Sequence, residues 1–470
     1  MAESAEGGTR GNMLANEKIG RLLLKLSAPA IVGMVVQALY NLVDTFFVSR
    51  YVGTLGVAGT AIAFPIQIIL IGIGISVGIG GASMLSRRMG ERDNEGASLA
   101  LGNMISISIV TGIICAVIGT VLMYPLLRVF GADDVMMPYA GDYISIILLG
   151  TPFLIFSVVA SSAARAEGNA SVAMFSLIIG GGLNVALDPI FIIVLGRGVR
   201  GAAEATVIST VVSCLFLIHY LLRGSSEIAL KPRHLRMKWP IVTEIFAVGS
   251  SDFARTAAMS ATSAIFNNIL KGLGGEVPIA AFGIFMRVFS FVFMPMVGIA
   301  QGAQPIIGFN YGARQFRRVR DCLYLAIKSA TVIACIGFVV FIAFPEQIIG
   351  IFINPDDEHA LEIIALGTNA TRWLVLGFPL IGYQIIGASL FQAIGKAKPA
   401  IFLAFSRQVL FLIPMVIILS RLFGLTGVWL SFPASDLIAF VITLFMVTRE
   451  MRTLSRMESL PQPPGREKEP

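Results

Sequence analysis

The chain has 470 residues, of which 56% are hydrophobic and 13% are charged, and its net charge is +7. Soluble proteins carry about 25% charged residues, so this composition excludes a soluble globular chain. The Lys and Arg residues lie in short segments between long apolar runs, which favours membrane topology over nucleic-acid binding as the reason for the positive charge.

Twelve apolar runs follow one another along the chain, and each approaches the ~20 residues that a helix needs to cross a bilayer. Backbone groups in hydrocarbon must pair internally, and the alternating pattern of a membrane β-barrel is absent, so the runs predict helices. We therefore predict an all-α membrane protein with spans near 22–48, 56–83, 97–123, 138–163, 172–196, 200–222, 241–269, 278–308, 321–344, 362–391, 399–420 and 425–447.

The two sets of six spans repeat each other. Leu149-Gly150-Thr151-Pro152 matches Leu376-Gly377-Phe378-Pro379, and Gly198-Val199-Arg200-Gly201 matches Gly424-Leu425-Thr426-Gly427, in the same order. Because six is even, both halves enter the membrane from the same side, so the bundles are related by a pseudo-two-fold axis along the membrane normal, with substrate between them. The predicted parts are a tail (1–21), a first bundle (22–222), a polar linker (223–240), a second bundle (241–447) and a tail (448–470).

The basic residues predict the orientation of the chain in the membrane. The polar N-terminus does not resemble a cleavable signal peptide. Far more Lys and Arg residues lie in the linker and in the loops on its side than in the alternate loops, where the acidic stretches 133–134 and 356–358 fall. This bias predicts a multi-pass protein of the plasma (inner) membrane with both termini in the cytoplasm.

Ionisable residues within spans are costly, so they are candidates for function. In span 1, four polar residues follow helical spacing and share a face: Gln37, Tyr40, Asn41 and Asp44. In span 5, Asn184 and Asp188 lie four residues apart, and Pro189 should loosen the helix directly after them. Apart from Lys25 and Arg200 near the ends of their spans, no Lys or Arg lies within the predicted first-half spans, so we expect the acids to have no basic partner there. The alternative is that both acids lie near the outer surface in contact with water.

The spans of the second half carry mainly basic residues. Asp252 and Arg255 are three residues apart and can pair on one helix. Arg287 or Arg407 could pair with Asp436, and the sequence does not distinguish them. We interpret these five residues as a structural charge network of the second bundle in preference to direct substrate contacts.

Several stretches resemble the multidrug and toxic compound extrusion (MATE) family, in its bacterial drug-exporter branch. The most specific is Asn184-Val185-Ala186-Leu187-Asp188-Pro189, and others are Ala38 to Thr45 and Gln304 to Ala313. The resemblance extends from about Ile19 to Met451 and implies a V-shaped antiporter with twelve helices that exports organic cations in exchange for protons or sodium ions. It also implies that Asp44, Asp188, Asn184 and Thr206 form the cation site of the first bundle.

Two positions depart from the family pattern. Glu204 replaces an apolar residue and would add an acid near the implied cation site. Span 7 carries Asp252 and Arg255 and lacks the isolated glutamate of sodium-coupled members, which argues against a sodium site in the second half.

The nearest alternative function is a flippase or exporter of lipid-linked or anionic substrates from the same superfamily, which the second-half arginines would suit. An enzyme is not expected, because no catalytic set or phosphate-binding Gly-Lys-Ser/Thr loop is present. The scattered Cys and His residues predict neither a structural metal nor a cofactor. The expected partners are small-molecule substrates, a coupling proton or sodium ion and the lipid bilayer, with the protein as a monomer and no nucleic acid.

Overall fold

The computed structural model describes residues 9–223, 226–353 and 359–459, and all regular elements in these ranges are helical. The acidic stretch 356–358 and the linker residues 224–225 lie outside the described residues. The helices of the first half are α1 (Thr9–Asn16), α2 (Ile19–Tyr51), α3 (Thr54–Gly90), α4 (Asn94–Val121), α5 (Met123–Val129), α6 (Met137–Ala166), α7 (Ala170–Pro189) and α8 (Gly198–Leu222). A π-helical turn, Ile190–Val194, continues α7.

The second half has a similar order of helices. They are α9 (Trp239–Gly274), α10 (Glu276–Gly312), α11 (Phe316–Ala343), α12 (Pro345–Gly350), α13 (Ala360–Leu374), α14 (Phe378–Ala393), α15 (Ala397–Phe405) and α16 (Ile413–Ser459). A 3₁₀ turn joins α13 to α14, and a π-helical segment, Ser406–Leu412, joins α15 to α16. Gly424 has non-helical backbone angles (φ 59°, ψ −135°) and divides α16 into two segments that belong to different spans.

Ten helices of the described residues are both long and apolar enough to cross a membrane. The 36-residue α9 and the division of Ala397–Ser459 at Gly424 bring the number of sufficiently long segments to the twelve that the hydropathy pattern predicts. The helices extend beyond the predicted spans: α3 ends at Gly90 instead of 83, and α6 ends at Ala166 instead of 163. Hydropathy detects only the part of a helix that lies in hydrocarbon, whereas the hydrogen-bonded backbone continues past that boundary until a turn or cap residue ends it.

Both ends of the described chain and the linker lie on one side of the molecule, which we call the linker face. Arg318 at the start of α11 donates to the carbonyl oxygens of Leu14 and Glu17 beside α1, at 3.1 and 2.8 Å. Arg320 pairs with Glu458 near the end of α16 at 2.6 Å. This arrangement follows from an even number of spans in each half.

A buried carboxylate on the linker face helps to hold α1 in place. Glu167 directly follows α6, and its carboxylate accepts hydrogen bonds from the Tyr220 hydroxyl at 2.8 Å and the Ser226 hydroxyl at 2.7 Å. Arg10 of α1 donates to the same Tyr220 oxygen at 3.1 Å, and the backbone N–H groups of Arg10 and Gly11 donate to Glu227. Burial raises the pKa of Glu167 to about 7.

The backbone repeats the internal symmetry that the sequence motifs predict. Residues with positive φ recur at equivalent turns of the two halves: Gly53 and Gly275, Arg92 and Arg314, Gly168 and Gly395, and Gly198 and Gly424. In each half, a π-helical segment also interrupts the fifth span. The two halves therefore share local geometry as well as helix order.

The halves contact each other through glycines in the linker-facing parts of α2, α3, α9 and α10. A Cβ atom on Gly90 would collide with the Phe309 carbonyl oxygen, and one on Gly312 would collide with the Arg87 carbonyl oxygen. The two contacts are equivalent by the internal repeat. A shift of 222 residues relates Gly90 to Gly312 and Arg87 to Phe309, so each half contributes the glycine to one contact and the carbonyl oxygen to the other. Gly80 against Gly249 and Gly302 against Ser27 form a second reciprocal pair with the same shift.

Candidate functional site

Asn184 links two helices of the first half through its side-chain amide. Asn184 and Asp188 lie one turn apart on α7, so both side chains project from the same face of the helix. The Asn184 amide nitrogen donates to Asp188 Oδ1 and to Thr206 Oγ1 of α8, both at 3.3 Å. Both Asn184 and Asp188 are buried. The structure thus brings together these three residues, which the sequence motifs single out.

Asp44 and Tyr40 of α2 approach this group from the opposite side. Gly181 of α7 makes that approach possible, since a Cβ there would lie 3.0 Å from Tyr40 Cδ1. Asp44 lies close enough to Asp188 and to Tyr143 of α6 for electrostatic interaction. Asp188 is buried and Asp44 is half-buried, so the two acids are neighbours within the helix bundle.

The group has more hydrogen-bond acceptors than donors. Asp44 Oδ1, Asn184 Oδ1 and Asp188 Oδ2 are buried and have no hydrogen-bond partner among the described residues. Within the described part of the chain, no Lys or Arg forms an ion pair with either acid. Buried oxygens without donors are costly, and a proton or a small cation would satisfy them.

A cavity of about 240 Å³ opens beside Asn184, the residue of the acceptor group that lies in its lining. Gln37, Tyr40, Asn184 and Thr206 line it, together with apolar side chains of α2, α3, α6 and α7. Asn41 was predicted to share the face of Gln37 and Tyr40, but this residue is exposed and does not line the cavity. Its position is one step around the helix from Tyr40, which turns its side chain away from α7.

The helix ladder changes directly after Asp188. Pro189 lacks a backbone N–H, and the following residues Ile190–Val194 adopt a π-helix in which the Leu195 N–H donates to the Ile190 carbonyl oxygen at 2.9 Å. The predicted loosening after Pro189 therefore takes the form of a π-turn, a feature that is frequent at functional sites.

Two charged residues of the first half differ from the expectations. Glu204 does not add a free acid to the group, because it pairs with Arg197 at 2.5 Å and with Arg200 at 3.6 Å. Arg165 lies in the last turn of α6 and lines the cavity, so the expectation that no basic residue besides Lys25 and Arg200 lies within the first-half spans is wrong. The predicted span stopped at 163, and the extra turn of α6 is what places Arg165 inside the bundle.

The second-half charges form two separate ion pairs. Arg255 donates to Asp252 at 2.6 Å on α9, and Arg407 donates to the buried Asp436 at 2.7 Å. Arg287 is exposed and forms no ion pair within the described residues, so the predicted inclusion of Arg287 in one network with Asp436 is wrong. The side chain of Asp436 fits against Gly377, where a Cβ would collide with its carboxylate.

The chain is similar to known proteins over nearly its whole length. The sequence model of the MatE family matches residues 29–190 and 253–418, once in each half. The multidrug export protein MepA of Staphylococcus haemolyticus (strain JCSC1435) is 28% identical over 429 residues, which cover 91% of this chain and 93% of MepA. MepA of Staphylococcus aureus (strain MSSA476) is 26% identical over 440 residues, covering 93% and 96%.

Solved structures show the same fold. A crystal structure of MATE in complex with MaL6 superposes with a TM-score of 0.90 at 28% identity, covering 95% of this chain and 100% of that chain. A multidrug resistance MATE family transporter of the MOP superfamily in an outward-facing conformation superposes with a TM-score of 0.89 at 28% identity, covering 95% and 99%.

Proposed function

Because the chain belongs to the MatE family of multidrug efflux transporters, we propose that it is a secondary active antiporter that exports organic, cationic and amphipathic compounds in exchange for protons or sodium ions. The observation that carries this proposal is the set of three buried acceptor oxygens, on Asp44, Asn184 and Asp188, that have no hydrogen-bond partner among the described residues. Such a set binds a cation or a proton in preference to an anion.

The coupling mechanism follows from the charge of this group. Two neighbouring carboxylates repel each other in a low-dielectric interior, and a bound proton or sodium ion relieves the repulsion. Sodium would take oxygen ligands from Asp44, Asp188 and Asn184, with the Thr206 hydroxyl within reach of the same group. Loss of this ion restores the negative charge, which attracts a cationic substrate into the adjacent cavity. Ion and substrate then exclude each other, and this exclusion is the basis of antiport.

The π-turn after Pro189 provides a place where α7 can change its packing. Where the backbone hydrogen bonding of a helix is interrupted, the helix can change between two packing arrangements at a lower energetic cost than a regular helix. We infer that occupation of the acceptor oxygens biases α7 between them, and that the bias is transmitted to the contact between the halves. The reciprocal glycine contacts hold the linker face closed in the structure described, so the alternate state requires them to separate.

The other features of the proposal concern location and assembly. We infer a location in the plasma (inner) membrane with both termini in the cytoplasm, and action as a monomer. The flippase alternative relied on the second-half arginines, and two of them, Arg255 and Arg407, are neutralised by Asp252 and Asp436.

The test is export from proteoliposomes that carry ethidium, a fluorescent cation, under an imposed proton gradient and then a sodium gradient. We expect Asp188→Asn and Asp44→Asn each to reduce export at least about tenfold, since each removes a charge that the coupling ion must meet. Asn184→Ala should weaken export less, because it removes only one neutral ligand.

Asp142→Asn is the matched control. Asp142 is an exposed acid on α6, and the same change there should leave export unaltered. Wild-type export by both Asp188→Asn and Asp44→Asn would show that coupling depends on other residues, and the ion whose gradient drives wild-type export identifies the coupling cation.

A further inference from the structure

Arg165 is the charged residue in the lining of the first-half cavity. The cavity otherwise presents hydroxyl, amide and apolar groups among the described residues, and Asn184 and Thr206 lie in the same lining. Arg165 also lines a second, smaller cavity of about 50 Å³ that extends toward Gln304 and Pro305 of α10. It therefore lies where the first-half cavity reaches the second half of the protein.

The guanidinium of Arg165 has few partners for a partly buried cation. Among the described residues it donates one hydrogen bond, to Ser162 Oγ at 2.8 Å, although a guanidinium carries five N–H donors. No carboxylate of the described residues lies within 4 Å to form an ion pair with it. A cation in a partly desolvated place gains more from an anionic partner than from water or a hydroxyl.

Gln301 of α10 provides a second donor at the same place. It lines both cavities together with Arg165, and its amide has no hydrogen-bond partner among the described residues. Gln304, one turn further along, is engaged through its amide nitrogen with the Ile79 carbonyl oxygen at 3.3 Å. An anionic group in the shared space would thus meet donors from both halves of the protein.

We propose that Arg165 and Gln301 bind the carboxylate of a zwitterionic substrate, whose cationic group is directed toward the part of the lining formed by Asn184 and Thr206, where Asn184 contacts Asp188. This inference rests on the proposed export function and adds a substrate class to it. A carboxylate fits better than a phosphate, because its single charge balances one guanidinium and its planar pair of oxygens matches the planar donors of Arg.

The size and polarity of the cavity agree with such an occupant. Drug-sized ligands need about 300–1,000 Å³, so a cavity of about 240 Å³ holds only the zwitterionic part of a larger molecule. Apolar side chains such as Ile71, Ile75 and Leu154 line the space and suit the carbon skeleton between the charged groups. Because Gln301 belongs to the second half, a bound carboxylate also stabilises the arrangement of the halves described above.

The experiment uses two fluorescent probes that differ in one charge. Nα-dansyl-lysine is a zwitterion whose free carboxylate and ε-ammonium are separated by the lysine side chain, and its methyl ester is a cation of nearly the same size. Binding to the full-length protein in detergent is measured by the change in dansyl fluorescence. We expect the wild type to bind the zwitterion about tenfold more tightly than the ester, and Arg165→Gln to abolish this preference while leaving ester binding within about twofold.

Arg165→Lys and Arg372→Gln complete the set of variants. Arg165→Lys keeps the charge without the planar donors, so it should retain part of the preference, and it carries the test if Arg165→Gln does not fold. Arg372 is an exposed arginine on α13, and Arg372→Gln should keep the full preference. The inference is overturned if the wild type has no preference for the zwitterion, or if Arg165→Gln or Arg165→Lys alters the affinity for both probes equally or for neither.

Gradient-driven efflux of the methyl ester from proteoliposomes is measured on the same samples. This efflux requires the antiport function but not a carboxylate site. Absence of efflux with an intact binding preference would overturn the proposed antiport and leave the carboxylate site supported. Normal efflux without a binding preference would support the proposed antiport and overturn the carboxylate site.

Discussion

Asp188 and Asp436 are both buried carboxylates within membrane helices, but only Asp436 has a cation beside it. The sequence places both acids within spans, and it shows that Asn184 is the polar residue nearest to Asp188 on the same helix face. It does not show which arginine reaches Asp436, because that choice depends on how the π-helical segment Ser406–Leu412 packs against α16. Local spacing therefore predicts contacts within one helix, whereas contacts between helices require the fold.

The pairing of Asp436 predicts a structural role for this residue. Asp436→Asn would leave the Arg407 guanidinium without its partner in a mostly buried position, and we expect a loss of about 3 kcal/mol in stability and a lower folded yield. Fluorescence-detected size-exclusion chromatography after heating measures this. Arg287→Gln is the control, because Arg287 has no ion pair to lose and should keep its yield. Normal yield of Asp436→Asn together with altered substrate preference would indicate a binding role instead.

Glu167 predicts a pH dependence on the linker face. Burial raises its pKa from the ordinary value of 4.5 to about 7, so the folded protein binds a proton that the unfolded chain releases between these values. The stabilising effect is complete below about 4.5 and is lost as the pH rises through about 7. Hydrogen exchange in α1 should therefore become faster over this pH range, beyond the intrinsic effect of pH on exchange.

Glu167→Gln separates this carboxyl group from other titrating groups. Glutamine has nearly the same shape and stays neutral, so the variant should keep α1 protected up to pH 7 and show no stability transition there. Glu91→Gln, a change at an exposed acid on the same face, should behave as the wild type. An unchanged pH profile in Glu167→Gln would assign the transition to a different group.

At the scale of whole helices, hydropathy predicts the number and order of the spans but not their ends or their irregularities. The extra turn of α6 decides whether Arg165 counts as a loop residue or a cavity residue. Pro189 is the one sequence signal that predicts a change in the helix after α7. The matching segment Ser406–Leu412 contains no proline, and the sequence does not predict its π-helical form. The spacing of apolar residues does not reveal a local change from α-helical to π-helical hydrogen bonding, in which each N–H bonds to a carbonyl one residue further back along the chain.

The glycine contacts predict the effect of adding one methyl group at the helix crossing. A Cβ on Gly80 would collide with the Ile245 carbonyl oxygen, so Gly80→Ala must separate α3 from α9 at this point. We expect a loss of about 1–3 kcal/mol from the closed linker face. Ser83 contacts Gln392 across the two halves. A cysteine introduced at position 83, in a background without the native cysteines, should therefore become more reactive when this face opens.

Gly72→Ala is the matched control on the same helix. The nearest atom to a Cβ at Gly72 is Thr256 Cγ2 at 3.8 Å, which is an ordinary contact. This variant should leave the reactivity at position 83 unchanged. Equal reactivity in Gly80→Ala and Gly72→Ala would show that the crossing does not restrict opening.

For the molecule as a whole, the charge pattern and the even number of spans predict that the termini and the linker share one side, and the two ends of the described chain, at residues 9 and 459, lie on the side of the linker. Which compartment this side faces is a separate prediction. Single cysteines at Asp134, whose side chain is 97% exposed, and at the exposed Arg236 of the linker lie on opposite sides. In a background without the native cysteines, an impermeant maleimide on intact cells should label position 134 and reach position 236 only after permeabilisation.

The reciprocal contacts between Gly90 and Phe309 and between Gly312 and Arg87 have the form of an isologous interface, in which a surface recognises a copy of itself. In a dimer of identical subunits, every substitution appears on both sides of the axis, so both cavities must keep the same chemistry. A single fused chain is free of that restriction. Here one half retains acceptor oxygens without partners while the other neutralises its acids with arginines, and the shared interface is preserved although the two interiors have diverged.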